Sequence, residues 1–347
     1  MAITTEQVKE LARQCGFELV GIAPARPLLD FERFEQWRGQ GFAGEMTYLT
    51  DRRGAMRRDP RNLLPTAQSI LSVGKLYNTA HPYTSDIDDP ERGWISRYAW
   101  GADYHDVLRN GLRALVDRIA EIHDAPFEWK ICVDTAPLLE RSYAQAAGLG
   151  WIGKNSCLIN QQRGSWFFLG ELLLSIPLVP DTSVPDRCGT CTRCIDACPT
   201  NAFVPDHDGG WQLDSRSCIS YFTIEKRGEI PSTIAQNFGN SVFGCDICQD
   251  VCPWNRRAPV TEDAAFLPAS VAPDLKELAE LTEDEFRVRF RGSPVMRAKY
   301  AGFLRNVAIA MGNSGQANMR EPLERLAAHA DPVVAETARE AMAILMA

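Results

Sequence analysis

No stretch of this chain offers the run of about 18 uncharged apolar residues that a membrane-spanning helix needs, so no membrane association is expected. Met1 to Glu10 lack a basic patch, an apolar core and a twin-arginine pair, so no export signal is read and a cytoplasmic location is expected. Positive charge is also short. The net charge of −8 argues against a surface coated in basic residues, while leaving local patches open. No G-x-G-x-x-G opens a βα unit and no P-loop occurs, so nicotinamide and nucleotide cofactors find no support. Global disorder is disfavoured by composition: 45% of the 347 residues are apolar, enough to bury the cores of two or three domains.

What the sequence does have is cysteine. Eleven occur, and in a reducing compartment thiols seldom form structural disulfides, so metal ligation is the reading. Cys188-x2-Cys191-x2-Cys194-x3-Cys198-Pro199 has the spacing of two-cluster ferredoxins, in which the fourth cysteine of a run ligates the other cluster. Cys245-x2-Cys248-x3-Cys252-Pro253 is one cysteine short, and Cys218 upstream supplies it. The count closes on two 4Fe-4S clusters. Cys188, Cys191, Cys194 and Cys252 would hold one; Cys198, Cys218, Cys245 and Cys248 would hold the other. Iron in such a cube wants soft thiolates, and the crossed ligands keep the cubes close enough for electron hopping. A four-thiolate zinc site is the competing chemistry, but zinc is commonly taken by paired C-x2-C units rather than interlocked, proline-ended runs. Cys15, Cys132 and Cys157 are left over and read as plain buried thiols.

Around this segment the pattern alternates. Helices are expected over Thr4 to Gly16, Tyr104 to Ile122 and Pro137 to Ala147, and strands over Phe17 to Ala23, Ser69 to Gly74, Phe127 to Val133 and Trp166 to Ser175. Such alternation suggests an α/β or α+β domain. Pro177, Pro180 and Pro185 mark a boundary. Beyond Pro259 three apolar stripes follow. One starts at Met296, one at Leu323, and one at Val334, introduced by Asp331-Pro332; they resemble a pair of HEAT-like repeats.

Clusters move single electrons, and a pure carrier would be far shorter, so a catalytic partner domain is expected. Several segments resemble one family, the epoxyqueuosine reductases. Arg97-Tyr98-Ala99-Trp100-Gly101-Ala102-Asp103-Tyr104-His105 is similar to its R-Y-x-x-G-x-D-Y-H stretch. Val133-Asp134-Thr135-Ala136-Pro137-Leu138-Leu139-Glu140-Arg141 is similar to V-D-x-x-P-x-x-E-R, and Gly150-Trp151-Ile152-Gly153-Lys154-Asn155 to G-x-x-G-K-N. The segments starting at Cys218 and at Gly244 match as well, and the order is kept along nearly the whole chain. The resemblance implies a cobalamin enzyme that reduces epoxyqueuosine to queuosine at the tRNA wobble position. The implied architecture is α+β: a nitroreductase-like cobalamin-binding α/β domain at 1–177, a ferredoxin-type two-cluster domain at 178–258, and a helical HEAT-like, tRNA-contacting domain at 259–347. The implied partners are the epoxyqueuosine-bearing anticodon loop and a separate low-potential electron donor, with the protein itself a monomer.

Removing an epoxide oxygen takes two electrons and an acid for the departing oxygen. Asp134, at a strand end, is the expected acid, and desolvation against a corrin ring is expected to raise its pKa. A helix N-cap is the alternative role. Arg141 would orient the substrate or Asp134. Lys154, Asn155 and Ser156 would hydrogen-bond cobalamin, unless their turn is simply a turn. The resemblance adds Arg57 and Arg97, while Ser220, Tyr221 and Asp246 lie beside cluster cysteines where the cofactor must meet its electrons. The five histidines are scattered, so the lower cobalt face is expected to be unligated, and the role of His105 is left open. Two basic stretches stand out, Arg52 to Arg61 and Arg287 to Arg305. In the second, Arg297, Lys299 and Arg305 are candidates for tRNA phosphates, against the alternative of a solvated helix face. Two other functions compete. A reductive dehalogenase would normally carry a twin-arginine signal, and a non-catalytic electron-transfer subunit would bind no cobalamin.

Overall fold

The computed structural model describes residues 2–268 and 270–345. It opens with helix α1 (Thr5–Gln14), started by a capping box in which the Thr4 hydroxyl accepts from the Gln7 amide and the Gln7 side chain accepts from the Thr4 amide. Gly16, at φ 88°, turns the chain out of α1 into the sheet.

The main sheet has four strands, β1 (Leu19–Pro24), β2 (Ser69–Leu76), β3 (Trp129–Cys132) and β4 (Phe167–Leu174), in the order β1-β2-β4-β3. Every pairing is antiparallel, with Ile22 opposite Leu71, Leu71 opposite Leu172, and Ile131 opposite Leu172. Strands β2 and β4 read as nearly continuous apolar runs because helices cover both faces of the sheet. Leu71, Val73, Leu172 and Leu174 pack under α1 and α2 (Tyr104–Ile122). Ile70 and Leu173 pack on the other face against Tyr143 and Ala144 of α3 (Glu140–Ala146). The antiparallel ladder makes this region α+β. Helix α3 starts three residues later than expected, because Val133 to Leu139 are used in tight turns between β3 and the helix.

The cysteine-bearing stretch has little regular structure: short helical turns at Arg193–Asp196 and Ile247–Asp250, a helix at Ile219–Ile224, and a small antiparallel ribbon of Phe203–Pro205 with Trp211–Leu213. The tail is helical, with α4 (Tyr300–Asn313), α5 (Arg320–Ala327) and α6 (Pro332–Leu345). Gly312 permits the close approach of α4 and α6, since a Cβ there would lie 2.8 Å from that of Ala341. The apolar core beneath α4 takes Phe303, Leu304 and Val307 together with Ile95, Trp100, Val242 and Phe243, so distant parts of the chain share it. Asn306 fastens that seam by donating to the carbonyls of Thr223 and Val242.

Candidate active site and cysteine centres

The eight cysteines gather into two sets. Cys194 has Cys252, Cys188 and Cys191 as neighbours, so Cys252 leaves its own run to join the first. Cys245 neighbours Cys218 and Cys198, and Cys248 neighbours Cys245 and Cys218. A cavity of about 320 Å³ opens between Cys188, Cys191, Cys194 and Cys252, walled by Ile159, Pro253 and Trp254. Four thiols around such a void suit an iron–sulfur cube. Among the described residues no three metal-binding side chains converge tightly enough to grip a single ion. Burial pushes Cys194 and Cys252 up to about 11 and raises Cys245 as well, so metal must displace protons to bind. Cys157, read from sequence as a plain buried thiol, is an electrostatic neighbour of Cys248.

A second constellation forms where β3 ends. The chain turns at Asp134 with φ 51°, a left-handed conformation that a short polar side chain tolerates. The Asp134 amide donates to the Glu140 carboxyl at the start of α3, which pins the turn. Asp134 Oδ2 accepts from the Tyr104 hydroxyl at 3.0 Å and from Arg297 Nη2 at 2.9 Å, and lies 3.2 Å from His105 Nε2. His105 Nδ1 stands 2.8 Å from Asp103 Oδ1, so the imidazole bridges two carboxylates. The Tyr104 ring stacks on Phe168 with centroids 4.4 Å apart, which aims its hydroxyl. Arg297 arrives from the turn Pro294–Ala298 that precedes α4.

The electrostatics correct one expectation. Burial does push the Asp134 carboxyl upward, but the hydrogen bond to His105 and the charge of Arg297 outweigh it and hold the group well below the usual carboxylate range. For His105, burial works downward, and the bonds to Asp103 and Asp134 win, raising the imidazole. The proton shared by this pair therefore rests on the histidine. Glu140, beneath the turn, goes the opposite way, raised by burial and by the Asp134 charge.

Other sequence candidates are committed to protein partners. Arg141 donates to the Ser156 carbonyl rather than to Asp134. Lys154 donates to the carbonyls of Gly189 and Cys191, and Asn155 to that of Cys248, so the Gly153-to-Cys157 turn is bolted to both cysteine runs. Arg57 is buried and donates to the carbonyls of Tyr48 and Arg53. Arg97, 2% exposed, donates to carbonyls of Thr79, His81 and Pro82 and stacks on Trp100. Asp246 accepts from the Ser96 hydroxyl and the Arg97 amide, and the Tyr221 hydroxyl accepts from the Glu45 amide. Ser156 and Ser220 are half-buried with hydroxyls unpaired among the described residues.

Arg305 requires a correction: it is 1% exposed, and its guanidinium donates to the carbonyls of Phe222, Lys226 and Gly228, leaving no face for a phosphate. Lys299 is exposed with its ammonium free among the described residues. Sequence reading missed the partnership of Tyr104, His105 and Arg297 with Asp134. The D-Y-H triplet was the available signal; nothing local marked Arg297.

Two sets of four cysteines, together with the exposed Asp134 carboxyl held by Tyr104, His105 and Arg297, suit a two-cluster iron–sulfur oxidoreductase. Residues 187–255 match the family described as a 4Fe-4S double cluster binding domain, so that domain is present. Residues 57–135 match the family described as epoxyqueuosine reductase QueG, DUF1730. The epoxyqueuosine reductase of Xanthomonas campestris is 42% identical over 313 residues, covering 89% of this chain and 86% of the relative. An epoxyqueuosine reductase crystal structure with a tRNA-Tyr epoxyqueuosine-modified stem loop superposes with a TM-score of 0.87 at 30% identity, covering 98% of this chain and 89% of that one. A Bacillus subtilis epoxyqueuosine reductase, described with its aspartate catalytic loop swung out of the active site, gives 0.86 at 30% identity, covering 98% and 90%. The chain belongs to the epoxyqueuosine reductase family and is an oxidoreductase. Among the described residues no helix is long and apolar enough to cross a membrane.

Proposed function

We propose that this enzyme reduces epoxyqueuosine to queuosine at the wobble position of tRNA, with Asp134 delivering a proton to the departing oxygen. The observation that carries the reading is the convergence of Tyr104, His105 and Arg297 on Asp134 Oδ2. Support also comes from the relative solved with a modified tRNA stem loop and from the one described with a catalytic aspartate loop. Loss of the epoxide oxygen as water consumes two electrons and two protons. Asp134 is ionised, and His105 Nε2 holds the proton that reloads it; excluding water from the site disfavours the separated charges and moves that proton toward Oδ2. Tyr104 orients the carboxyl, and Asp103 keeps the imidazole facing it.

Cys188, Cys191, Cys194 and Cys252 would hold one cluster and Cys198, Cys218, Cys245 and Cys248 the other. For cobalamin, the side chains present that fit are Asp134, 45% exposed, with Ser156 and Ser220, whose hydroxyls are unspent. When bound, that cofactor supplies a metal able to collect electrons that arrive singly and hold them at the substrate. The division at 177 and 258, the HEAT-like reading of the tail, and a monomer working in the cytoplasm complete the proposal. Lys299 is the tail residue offered to the tRNA backbone, beside Arg297 at the pocket rim.

The test is direct. Anaerobically reconstituted protein, cobalamin, a low-potential reductant and epoxyqueuosine-containing tRNA are incubated and the nucleosides read by mass spectrometry. Queuosine is expected; its absence with fully loaded clusters would remove the assignment.

A further inference from the structure

The proposed reaction needs two electrons from outside, and one part of the surface carries the charge to receive their carrier. Arg187 and Arg193 line the cavity of the first cysteine set, and Arg193 and Arg256 line an adjoining open groove of about 470 Å³. Arg257 follows directly. All four are exposed, and none has an ion pair or side-chain hydrogen bond among the described residues. Many arginines elsewhere are paired locally. Arg13, Arg38, Arg61, Arg216, Arg320 and Arg325 each face a carboxylate two to four residues away. Four unpaired arginines around one cysteine set give an acidic protein a local positive patch there.

That spot lies by the first cysteine set, away from the link to Asp134. The second set is tied to the reaction pocket: Asp246, next to Cys245, accepts from the Ser96 hydroxyl and the Arg97 amide, the Tyr98 ring follows 6.2 Å from that of Tyr104, and Tyr104 bonds Asp134. The first set is then the end left for entry, and the unpaired arginines stand around it.

We propose that Arg187, Arg193, Arg256 and Arg257 form the docking face for an acidic one-electron carrier protein, which reduces the enzyme through the first cysteine set. The inference rests on the reading that Cys188, Cys191, Cys194 and Cys252 hold a cluster. Each docking event oxidises the carrier by one electron and reduces the enzyme by one. Two such events supply one turnover, and the two protons come separately through the Asp134 pocket. A protein fits this face better than a nucleic acid backbone does. The carboxylates of Asp186 and Asp196, which bond the Cys188 amide and the Thr192 hydroxyl, interrupt the cationic track that consecutive phosphates would follow. A protein surface of mixed sign accommodates them.

The probe is a small, acidic 2Fe–2S ferredoxin, reduced and mixed in stopped flow with the full-length, cluster-loaded enzyme, cluster bleaching being the readout. The variants are Arg193→Glu/Arg256→Glu and Arg187→Glu/Arg257→Glu. Each is expected to lower the bimolecular rate by about ten- to a hundred-fold at low salt and to flatten its dependence on ionic strength. Bleaching by dithionite and affinity for tRNA stay unchanged. An unaltered ferredoxin rate in both double variants overturns the proposal, as does a loss of tRNA affinity without a loss of that rate. Iron and sulfide content of the same samples separates failure of the docking face from failure of the cluster assignment, since the latter shows already in the unsubstituted protein.

Discussion

Arg297 Nη2 stands 2.9 Å from Asp134 Oδ2, although 163 positions of sequence separate them. The contact joins the turn before α4 to the end of β3, so the pocket is complete only when the helical tail is docked. It also sets the protonation state: with Arg297 and His105 beside it, the carboxyl is held ionised, and the proton stays on the imidazole.

Asp134→Asn keeps the shape of the side chain and removes its capacity to carry a proton. Turnover is expected to fall by about 10²- to 10⁴-fold, the usual worth of a positioned acid. Reconstituted iron content should be unchanged. Single-turnover conversion of epoxyqueuosine in tRNA, followed by mass spectrometry, measures it; a loss below ten-fold would assign the proton to another group.

The His105 pKa is raised, so the charged imidazole contributes fully below its ordinary value of about 6.5 and is lost as pH rises through the higher folded value. The Asp134 pKa is lowered, so its share is present above about 3.9 and is lost only as pH falls through the depressed value. Activity should therefore decline on the alkaline side, and His105→Gln should abolish that limb while lowering the plateau. A pH–rate profile that keeps the same alkaline limb in the variant would exclude His105 as the proton store.

Arg305→Met is expected to lower Tm without affecting tRNA affinity. The substitution strips donors from three carbonyls beside α4, each loss costing roughly 1–3 kcal/mol where no water can replace it. Lys299→Glu should do the reverse, leaving Tm unchanged and weakening tRNA binding in a salt-dependent way. Calorimetry together with a filter-binding titration tells the two residues apart.

Cys252→Ser and Cys245→Ser should each remove roughly half the iron, one from each set, if the crossed assignment holds. Cys157→Ala should retain all of it, because Cys157 neighbours Cys248 without completing a set of four. Parallel iron assays and electron paramagnetic resonance of the reduced variants check this. Full iron in either serine variant would redraw the ligand sets.

How much could be read in advance depended on the range of the interaction. Cysteine spacing, the strand runs at Ser69 and Trp166, and helix Tyr104–Ile122 are local patterns, so periodicity and ligand geometry expose them directly. The delayed start of α3 was hidden, because the left-handed turn at Asp134 is a property of backbone packing. The fate of the arginines was hidden for the same reason. Arg297 and Arg305 lie eight residues apart in one basic stretch, and nothing local distinguishes a pocket residue from a buried clamp.

The sequence by itself determined the chemistry available: seven cysteines in two interlocked runs with Cys218 between them, a strand-end aspartate, and a D-Y-H triplet beside an aromatic. Only the tertiary structure decided how that chemistry is poised. It placed the Arg297 charge and the His105 imidazole on one carboxylate oxygen, reversing the direction in which burial alone would have moved it. The physical reason is that burial acts on a residue wherever it is enclosed, whereas a Coulombic partner acts only within a few ångströms, and those ångströms are set by the fold.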